Sequence, residues 1–539
     1  MFLRESSLLF VIKRASVTAR LVALSMALVL SGESICVAQG QIKQPALPQA
    51  RLGINLAAPC DWNTELPLVD VFRFSRDWIS QKKGRKWGQG PQLDVDKHGW
   101  VKQLDTDCWA ETPLCNIEGG HYPSGLYTVL YEGNGRIQFQ NVKNIVKETP
   151  GRIVIDVDAK RGAFWLRVTA VDRSDYIRNI RVIMPGFEET ATTNPWHPAF
   201  LKRWQGFACL RYMDFRHTNN SKVTTWSERP KVSDANWSHG LPIELLCDLA
   251  NRTEIDPWFC MPHQANDDYI REFARLVNKR LDRKRKAYVE YSNEVWNSIF
   301  AQHKFAAARG QEAGLAEKKW EAAWRFTGLR SKQVFDIWIQ EIKNRKRLVN
   351  VIAGFSINPY VTEQVLLAAD AWKSADVVAI APYFAIDIND KNANEILAGG
   401  VHELLDRVET EGLKRSFDAI HKSRQVANKY GMNLVAYEGG QHLVGLGRCS
   451  KNERLTKLLH AANEHSRMGQ IYEKYYDGWA RLGGDLFCCF SSVSRWNRNG
   501  SWGLLQYADD APTQSPKFST TIKWAKSRGQ RVNTANRKR

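Results

Sequence analysis

Two glutamates stand out by what precedes them. In Tyr288-Val289-Glu290-Tyr291-Ser292-Asn293-Glu294-Val295-Trp296-Asn297 a short apolar and aromatic run ends in Asn-Glu. Far downstream, Asn433-Leu434-Val435-Ala436-Tyr437-Glu438-Gly439-Gly440 is a second apolar run ending in a glutamate. At the C-terminal ends of parallel barrel strands the βα loops surround a mouth, and that is where barrels carry their chemistry. Two carboxyls facing each other there are the minimum needed to break an acetal bond between sugars. One protonates the leaving oxygen; the other attacks the anomeric carbon or activates water. A gap of about 5–5.5 Å suits direct attack with retention of configuration, and roughly 6.5–9.5 Å admits water and inverts it. The two roles need different surroundings. Glu294 must keep its proton near neutrality, which a desolvated mouth provides. Glu438 must stay ionised, so it needs donors or a cation.

The elements that must position these groups follow from the hydropathy pattern. Strand candidates are Arg51–Leu56, Ala208–Phe215, Trp258–His263, Ala287–Asn293, Val349–Phe355, Val377–Pro382, Leu434–Glu438 and Leu486–Ser491. Amphipathic stretches with apolar residues three to four apart lie between them: Pro242–Leu249, Asp268–Leu281, Phe326–Ile342, Val361–Trp372, Ser416–Tyr430 and Met468–Leu482. Eight strands alternating with helices predict an α/β fold, the (β/α)8 TIM barrel, closed by its first strand against its last. Residues 86–185 break the rhythm. Gly125–Tyr131, Arg136–Gln140, Arg152–Asp158, Phe164–Asp172 and Ile177–Met184 are β-rich and separated by turn residues, with no long helix among them. They predict an antiparallel β domain inserted after the first barrel strand, either walling one side of the mouth or packing passively. The organisation expected is a first strand and loop over 45–85, the insert over 86–185, the rest of the barrel over 186–525 and a basic disordered tail over 526–539.

With Asn293-Glu294 ending the fourth strand and Glu438 the seventh, the chain resembles the clan A retaining glycoside hydrolases. That superfamily includes cellulase-, xylosidase- and arabinofuranosidase-like enzymes. Glu290-Tyr291-Ser292-Asn293-Glu294 is similar to the E-x-x-N-E form of its arabinofuranosidase- and xylosidase-like members. The resemblance covers the chain from Thr190 onward together with the first strand. It implies Glu294 as acid/base, Glu438 as nucleophile and Arg211, closing the second strand, as the arginine that keeps the nucleophile anionic. Asn293 is implied to meet a sugar 2-hydroxyl, and His263 and Tyr383 match polar cleft positions. Trp496 matches a tryptophan that floors the sugar site, and Trp296 is a further candidate to line the mouth. Glu290, deeper on its strand, reads as a buried hydrogen-bonding residue. Arg216, His217 and His442 fall near the mouth without a fixed direction. The implied activity is retaining cleavage of O-glycosidic bonds in a polysaccharide or oligosaccharide, with no cofactor. The alternatives are a non-catalytic carbohydrate-binding protein on the same scaffold and an arabinofuranosidase- or xylosidase-like enzyme that removes side chains.

Composition narrows the setting. The chain holds 20 Trp, 16 Tyr and 22 Phe in 539 residues, enough to fill a core and still offer ring faces to pyranoses. Its net charge of +19 is concentrated in part in Lys279–Lys286 and in the tail. Such patches can recruit nucleic acid or anionic polymers. The first run, however, joins a helix to the strand bearing Glu294, on the barrel face opposite the mouth, so it reads as solvated loop and no nucleic-acid partner is expected. Arg4, Lys13, Arg14 and Arg20 around and before the apolar run Leu21–Leu30, then Cys36-Val37-Ala38, have the layout of a signal peptide over residues 1–38. Secretion, or a periplasmic or cell-surface location, is therefore expected, with no membrane contact once the leader is cleaved, since spanning a bilayer takes about 20 apolar residues. Nine of the ten cysteines follow the leader, an odd number. Cys108 and Cys115 could close a short loop, whereas Cys209, Cys260, Cys488 and Cys489 read as core. No Cys/His spacing suits zinc, so no metal is expected. The oligomeric state is left open.

Overall fold

The computed structural model of the chain describes residues 49–533; the expected leader lies outside them. Eight parallel strands pair in chain order: β1 (Arg51–Asn55), β2 (Cys209–Arg211), β3 (Asp256–Met261), β4 (Ala287–Tyr291), β5 (Leu348–Ala353), β6 (Val377–Ile380), β7 (Asn433–Ala436) and β8 (Gly484–Cys489). β8 returns to β1, with Arg51 opposite Leu486 and Ile54 opposite Cys489, and so closes the barrel. Alternation along each strand sends side chains to opposite faces. Cys209, Trp258, Cys260, Tyr288, Val351, Ala379, Val435, Leu486 and Cys488 fill the lumen. Leu210, Phe259, Val289, Ile352, Val378, Leu434 and Phe487 pack outward against the helices. A Cβ on Gly53 would lie 2.8 Å from the Cys488 sulfur and 2.9 Å from the Cys209 carbonyl, so β1 carries glycine where the lumen is tightest.

All eight expected strands form, and most stop short of the sequence reading; Ala208–Phe215, for instance, contracts to Cys209–Arg211. The residues beyond the last ladder bond turn into βα loops, and these loops carry the candidate site. The six expected helices are present. One of them, Asp267–Arg280, starts where the Asn266 side chain accepts the Tyr269 N–H. Ala301–Glu312, Ala393–Arg407, Glu453–Glu464 and Pro516–Ser527 are helices that the periodicity did not single out. Residues 281–286 join Asp267–Arg280 to the start of β4, at the barrel end away from the mouth. Among the described residues no helix is long and apolar enough to cross a membrane.

Between β1 and β2 in chain order come two four-stranded antiparallel sheets. One orders Ile79–Lys82, Cys108–Leu114, Phe164–Val171 and Gly135–Gln140; the other Arg178–Ile183, Gly125–Glu132, Arg152–Val157 and Asn144–Thr149. Tyr127, Val129, Ile153, Ile155, Phe164, Leu166 and Val182 form their shared apolar core. Buried Asp70 ties this unit to the loop after β1, accepting from Val182 N at 2.8 Å, Phe72 N at 3.2 Å and Arg73 Nε at 3.2 Å.

Two expectations are corrected here. Cys108 and Cys115 sit at opposite ends of the strand Cys108–Leu114. A strand rises about 3.3 Å per residue, which separates them by roughly 20 Å, and a disulfide tolerates about 7 Å between Cα atoms. All nine described cysteines are free thiols. The part of the expected basic tail that lies within the described residues, 526–533, is also ordered. Gln530 accepts the Leu52 N–H at 2.7 Å and donates to the Leu52 carbonyl at 2.9 Å, while Val532 is buried. A single amide here supplies both backbone bonds that a strand would, so apolar periodicity is not needed to dock the segment.

Candidate active site

Arg211 ends β2 with a fully buried side chain. Its Nη1 donates to Glu438 Oε1 at 3.0 Å and Asn55 Oδ1 at 3.1 Å. Nη2 donates to Glu290 Oε2 and Asn293 Oδ1, each at 2.8 Å, and Nε to Glu290 Oε2 at 3.3 Å. The guanidinium carbon lies 5.4 Å from the Trp258 ring centroid and 5.1 Å from that of Tyr437, within cation–π range. One cation thus ties β1, β2 and β4 to the turns after β4 and β7. Glu290 also accepts from Trp258 Nε1 at 2.8 Å and Cys260 Sγ at 3.3 Å. It is a buried anchor for the arginine.

Glu438 lies just past β7 and is 5% exposed. Its Oε1 takes the Arg211 bond, and Oε2 accepts the Tyr383 hydroxyl at 3.0 Å. The two glycines that follow fix its position. A Cβ on Gly439 would come within 2.2 Å of the Phe487 ring, and Gly440 has φ +143° with a Cβ position 2.9 Å from the Tyr472 hydroxyl. Only glycine lets the chain leave Glu438 so close to β8 and the helix Ser466–Arg481. Burial pushes the Glu438 carboxyl up, opposed by the Arg211 charge and by hydrogen bonds from Tyr383 and Arg211.

Glu294 reaches the mouth through a bent backbone. Ser292 and Glu294 have φ of +60° and +40°, a left-handed conformation that costs non-glycine residues of order 1–3 kcal/mol each. Gln302 Nε2 braces the bend by donating to the Asn293 carbonyl at 2.8 Å. Glu294 Oε2 accepts from Asn297 Nδ2 at 3.0 Å and Oε1 from the Tyr437 hydroxyl at 3.3 Å. That hydroxyl in turn accepts Trp296 Nε1 at 3.3 Å. Burial first, then the Glu438 charge, raises Glu294 to about 7. The asymmetry is geometric: the buried guanidinium bonds Glu438 and not Glu294, so of the two carboxyls only Glu438 has a charged donor that favours its anion.

Beside Glu294 opens a cavity of about 380 Å³ whose lining includes Trp296, Phe355, Tyr383, Arg415, His442 and Leu446. Trp296 and Phe355 stack at 4.1 Å and 13°. Trp502 stands 5.9 Å from Tyr383 and 4.9 Å from His442, ring centroid to centroid. Trp496, expected to floor the sugar site, is 5% exposed. Its Nε1 donates to the Gly503 carbonyl at 3.0 Å, and Lys517 Nζ sits 4.3 Å from its ring centroid. The chain reverses between the two tryptophans, where Asn497 N donates to the Gly500 carbonyl at 3.1 Å, and the reversal brings Trp502 to Tyr383 in place of Trp496. His263 is not brought to the carboxyls either. It is buried edge-on against Phe305 at 5.3 Å, and burial lowers it to about 4. Arg216 is spent on the Leu241 carbonyl and the Tyr269 hydroxyl, and His217 is exposed.

The structure therefore gathers Asn293, Glu294, Trp296, Tyr383, Arg211 and Glu438. It adds Tyr437, Asn297, Phe355 and Trp502, which the sequence did not single out as site residues. Asp214 joins them as a further acid, raised to about 7 by burial and then by the Glu438 charge. Tyr437 and Asn297 lay inside the two motifs and could have been read from their adjacency to the glutamates. Trp502, in Ser501-Trp502-Gly503, has no periodic signal.

No family model and no curated protein matches the chain. Solved structures are similar over part of it. A GH51 arabinofuranosidase from Xanthomonas axonopodis pv. citri shares 13% identity over 64% of this chain and 69% of that one, with a TM-score of 0.40. A 4-O-alpha-L-rhamnosyl-beta-D-glucuronidase from Fusarium oxysporum 12S shares 12% over 60% and 62%, TM-score 0.35. A GH10 structure from Paenibacillus barcinonensis shares 11% over 61% and 90%, TM-score 0.33. Two of these three are glycosidases and the third is named by its glycoside hydrolase family. The barrel assignment rests on the strand pairing in this chain.

Proposed function

We propose that this chain is an exported retaining glycoside hydrolase of clan A that cleaves O-glycosidic bonds in a polysaccharide. The observation that carries the reading is the polarised pair: Arg211 bonds Glu438, while Glu294 sits among neutral donors. In the first step the Glu438 carboxylate attacks the anomeric carbon as Glu294 gives its proton to the departing oxygen. The bond to the leaving sugar breaks and a glycosyl ester on Glu438 forms. With that negative charge consumed, the carboxyl of Glu294 becomes more acidic and acts as base. It takes a proton from water, which attacks the same carbon and releases Glu438 and a product of the starting configuration. Arg211 and Tyr383 receive the displaced carboxylate charge. The scheme uses side chains alone. Trp296, Phe355 and Trp502 supply flat faces beside the carboxyls, which suit pyranose rings.

The test is a Glu438→Gly variant assayed on an aryl glycoside with and without sodium azide, together with NMR of the wild-type product. Turnover is expected to vanish and to return with azide as a glycosyl azide of opposite configuration, while the wild-type product keeps its anomer. Normal turnover without azide, or an inverted wild-type product, overturns the reading.

A further inference from the structure

On the sheet of Ile79–Lys82, Cys108–Leu114, Phe164–Val171 and Gly135–Gln140, one face packs into the β unit's core through Leu114, Phe164, Leu166 and Val168, with Ala110 and Thr112 buried on the same face. The opposite face is organised around a single carboxylate. Glu111 is buried, and each of its oxygens accepts two donors. Oε1 takes Gln81 Nε2 at 2.8 Å and Trp87 Nε1 at 3.2 Å; Oε2 takes Trp109 Nε1 at 2.9 Å and Arg167 Nε at 2.5 Å. A carboxylate so engaged has no capacity left for catalysis. What it does is turn two indole N–H groups inward and leave their rings on the outside.

Trp87 is 62% exposed, and Trp109 and Trp165 are partly exposed. The Trp87 and Trp165 rings meet at 85° with centroids 6.4 Å apart, so they form a corner, and Arg167 lies over the Trp109 ring at 5.3 Å. The ladder places Gln140 beside Trp165 and Gln138 beside Arg167, both exposed. One exposed and two partly exposed tryptophans gathered on one sheet face are the pattern of an interaction site, unlike single scattered apolar residues. Its chemistry here is selective: ring faces for C–H groups, with exposed amides and a guanidinium for hydroxyls.

We infer that this face is a second carbohydrate-binding surface, separate from the barrel mouth, and that it holds a polysaccharide chain. The polar border favours a glycan over the aliphatic patch of a protein partner. The choice of a substrate-like polysaccharide rests on the hydrolase reading; the surface itself does not.

The experiment is depletion from solution by insoluble cellulose, xylan, mannan and arabinoxylan in moderate salt, in the Glu438→Gln background so that no matrix is digested. The Glu438→Gln protein is expected to be depleted by at least one matrix. Adding Trp87→Ala and Trp165→Ala is expected to weaken that binding by at least about 10-fold, as losing a tryptophan anchor does. Far-UV circular dichroism shows whether the triple variant is folded, and Trp87→Ala alone, at an exposed position, provides a second variant. Depletion by none of the matrices, or equal depletion of folded variants, overturns the inference. So does sedimentation in which these substitutions turn a dimer into a monomer while depletion is unchanged, since the face would then belong to a second copy. Failure of the hydrolase reading is seen separately, as hydrolysis surviving Glu438→Gln.

Discussion

Arg211→Lys tests the polarity of the carboxyl pair. The arginine makes five hydrogen bonds to four side chains, two of them to Glu290 Oε2 and one to Glu438 Oε1. Lysine brings a single ammonium on a flexible stem, with three donors and no fork. Held on Glu290, it leaves Glu438 without its charged donor. A hydrogen bond to a charged group is worth about 1.5–3 kcal/mol, and a pKa unit is about 1.4 kcal/mol, so Glu438 should rise by about 1–2 units. The nucleophile must be ionised, so the acidic limb of kcat/KM against pH moves up by that amount. The alkaline limb, governed by Glu294 near 7, stays in place. The limbs converge, so the profile narrows and its peak falls, while on the acidic side the rate drops by about 10–100-fold. The assay is kcat/KM of an aryl glycoside across roughly pH 4–9, with a thermal melt at each pH to confirm folding. An acidic limb that does not move, at near-wild-type rate, refutes the proposed role of Arg211. Both limbs shifting together would also refute it.

Tyr383→Phe removes the hydroxyl 3.0 Å from Glu438 Oε2; kcat/KM should fall about 10–100-fold and the acidic limb should rise, and an unchanged profile would take Tyr383 out of the site. Trp502→Ala should raise KM with little change in melting temperature. Buried Trp496→Ala should instead lower stability by about 3–5 kcal/mol, measured by denaturant titration, and the reverse pattern would restore Trp496 to the sugar site. Glu65 is buried, accepts from Trp204 Nε1 at 2.6 Å and Ser492 Oγ at 2.7 Å, and is raised to about 7 by burial. The folded protein therefore holds a proton that the unfolded chain releases above its ordinary value of 4.5, and stability falls as pH rises from there to about 7. One such group contributes up to about 3 kcal/mol to that fall. Glu294 and Asp214 act in the same direction, so Glu65→Gln should flatten the loss of stability between pH 5 and 7 by roughly a third of their joint effect. An unchanged slope in the melting temperature would show that Glu65 does not hold the proton.

The barrel was legible because its signal is local. Each strand is a short apolar run and most helices carry a stripe, so eight strands and six helices could be read without knowing their partners. Ala301–Glu312 escaped because alanine and glutamine make a helix without making a stripe. Cys108–Leu114 escaped because Glu111 and Pro113 interrupt its apolar pattern, and the tertiary bonds that bury Glu111 come from Gln81, Trp87 and Arg167, remote in sequence. Within the candidate site, Arg211, Glu294 and Glu438 were readable because each lies at or just beyond the C-terminal end of an apolar strand. Trp496 and Trp502 were not distinguishable, because a turn between them decides which reaches Tyr383. His263 misled for a related reason: strand-end position places a residue at the rim but does not say whether its ring faces the cleft or Phe305.

The cluster around Arg211 explains why the two glutamates can differ at all. Burying one guanidinium with Glu290 and Glu438 is not a means of stabilising a barrel, since desolvation offsets most of what such pairs gain. The arrangement leaves more acid than base in the mouth, because Asp214 and Glu294 lie close by without a cation of their own. With Arg211 bonded to Glu290 and Glu438, burial and the Glu438 charge raise both remaining acids to about 7. Burial first and the Glu438 charge second thus favour a proton on Glu294, and in the proposed mechanism that is the proton given to the leaving oxygen. Asn55 on β1, Glu290 on β4, and Asn293 and Glu438 beyond β4 and β7 all bond the same side chain. The guanidinium therefore reaches this state only when those parts of the barrel have come together. Closure of the fold and the division of labour proposed for Glu294 and Glu438 therefore depend on the same side chain.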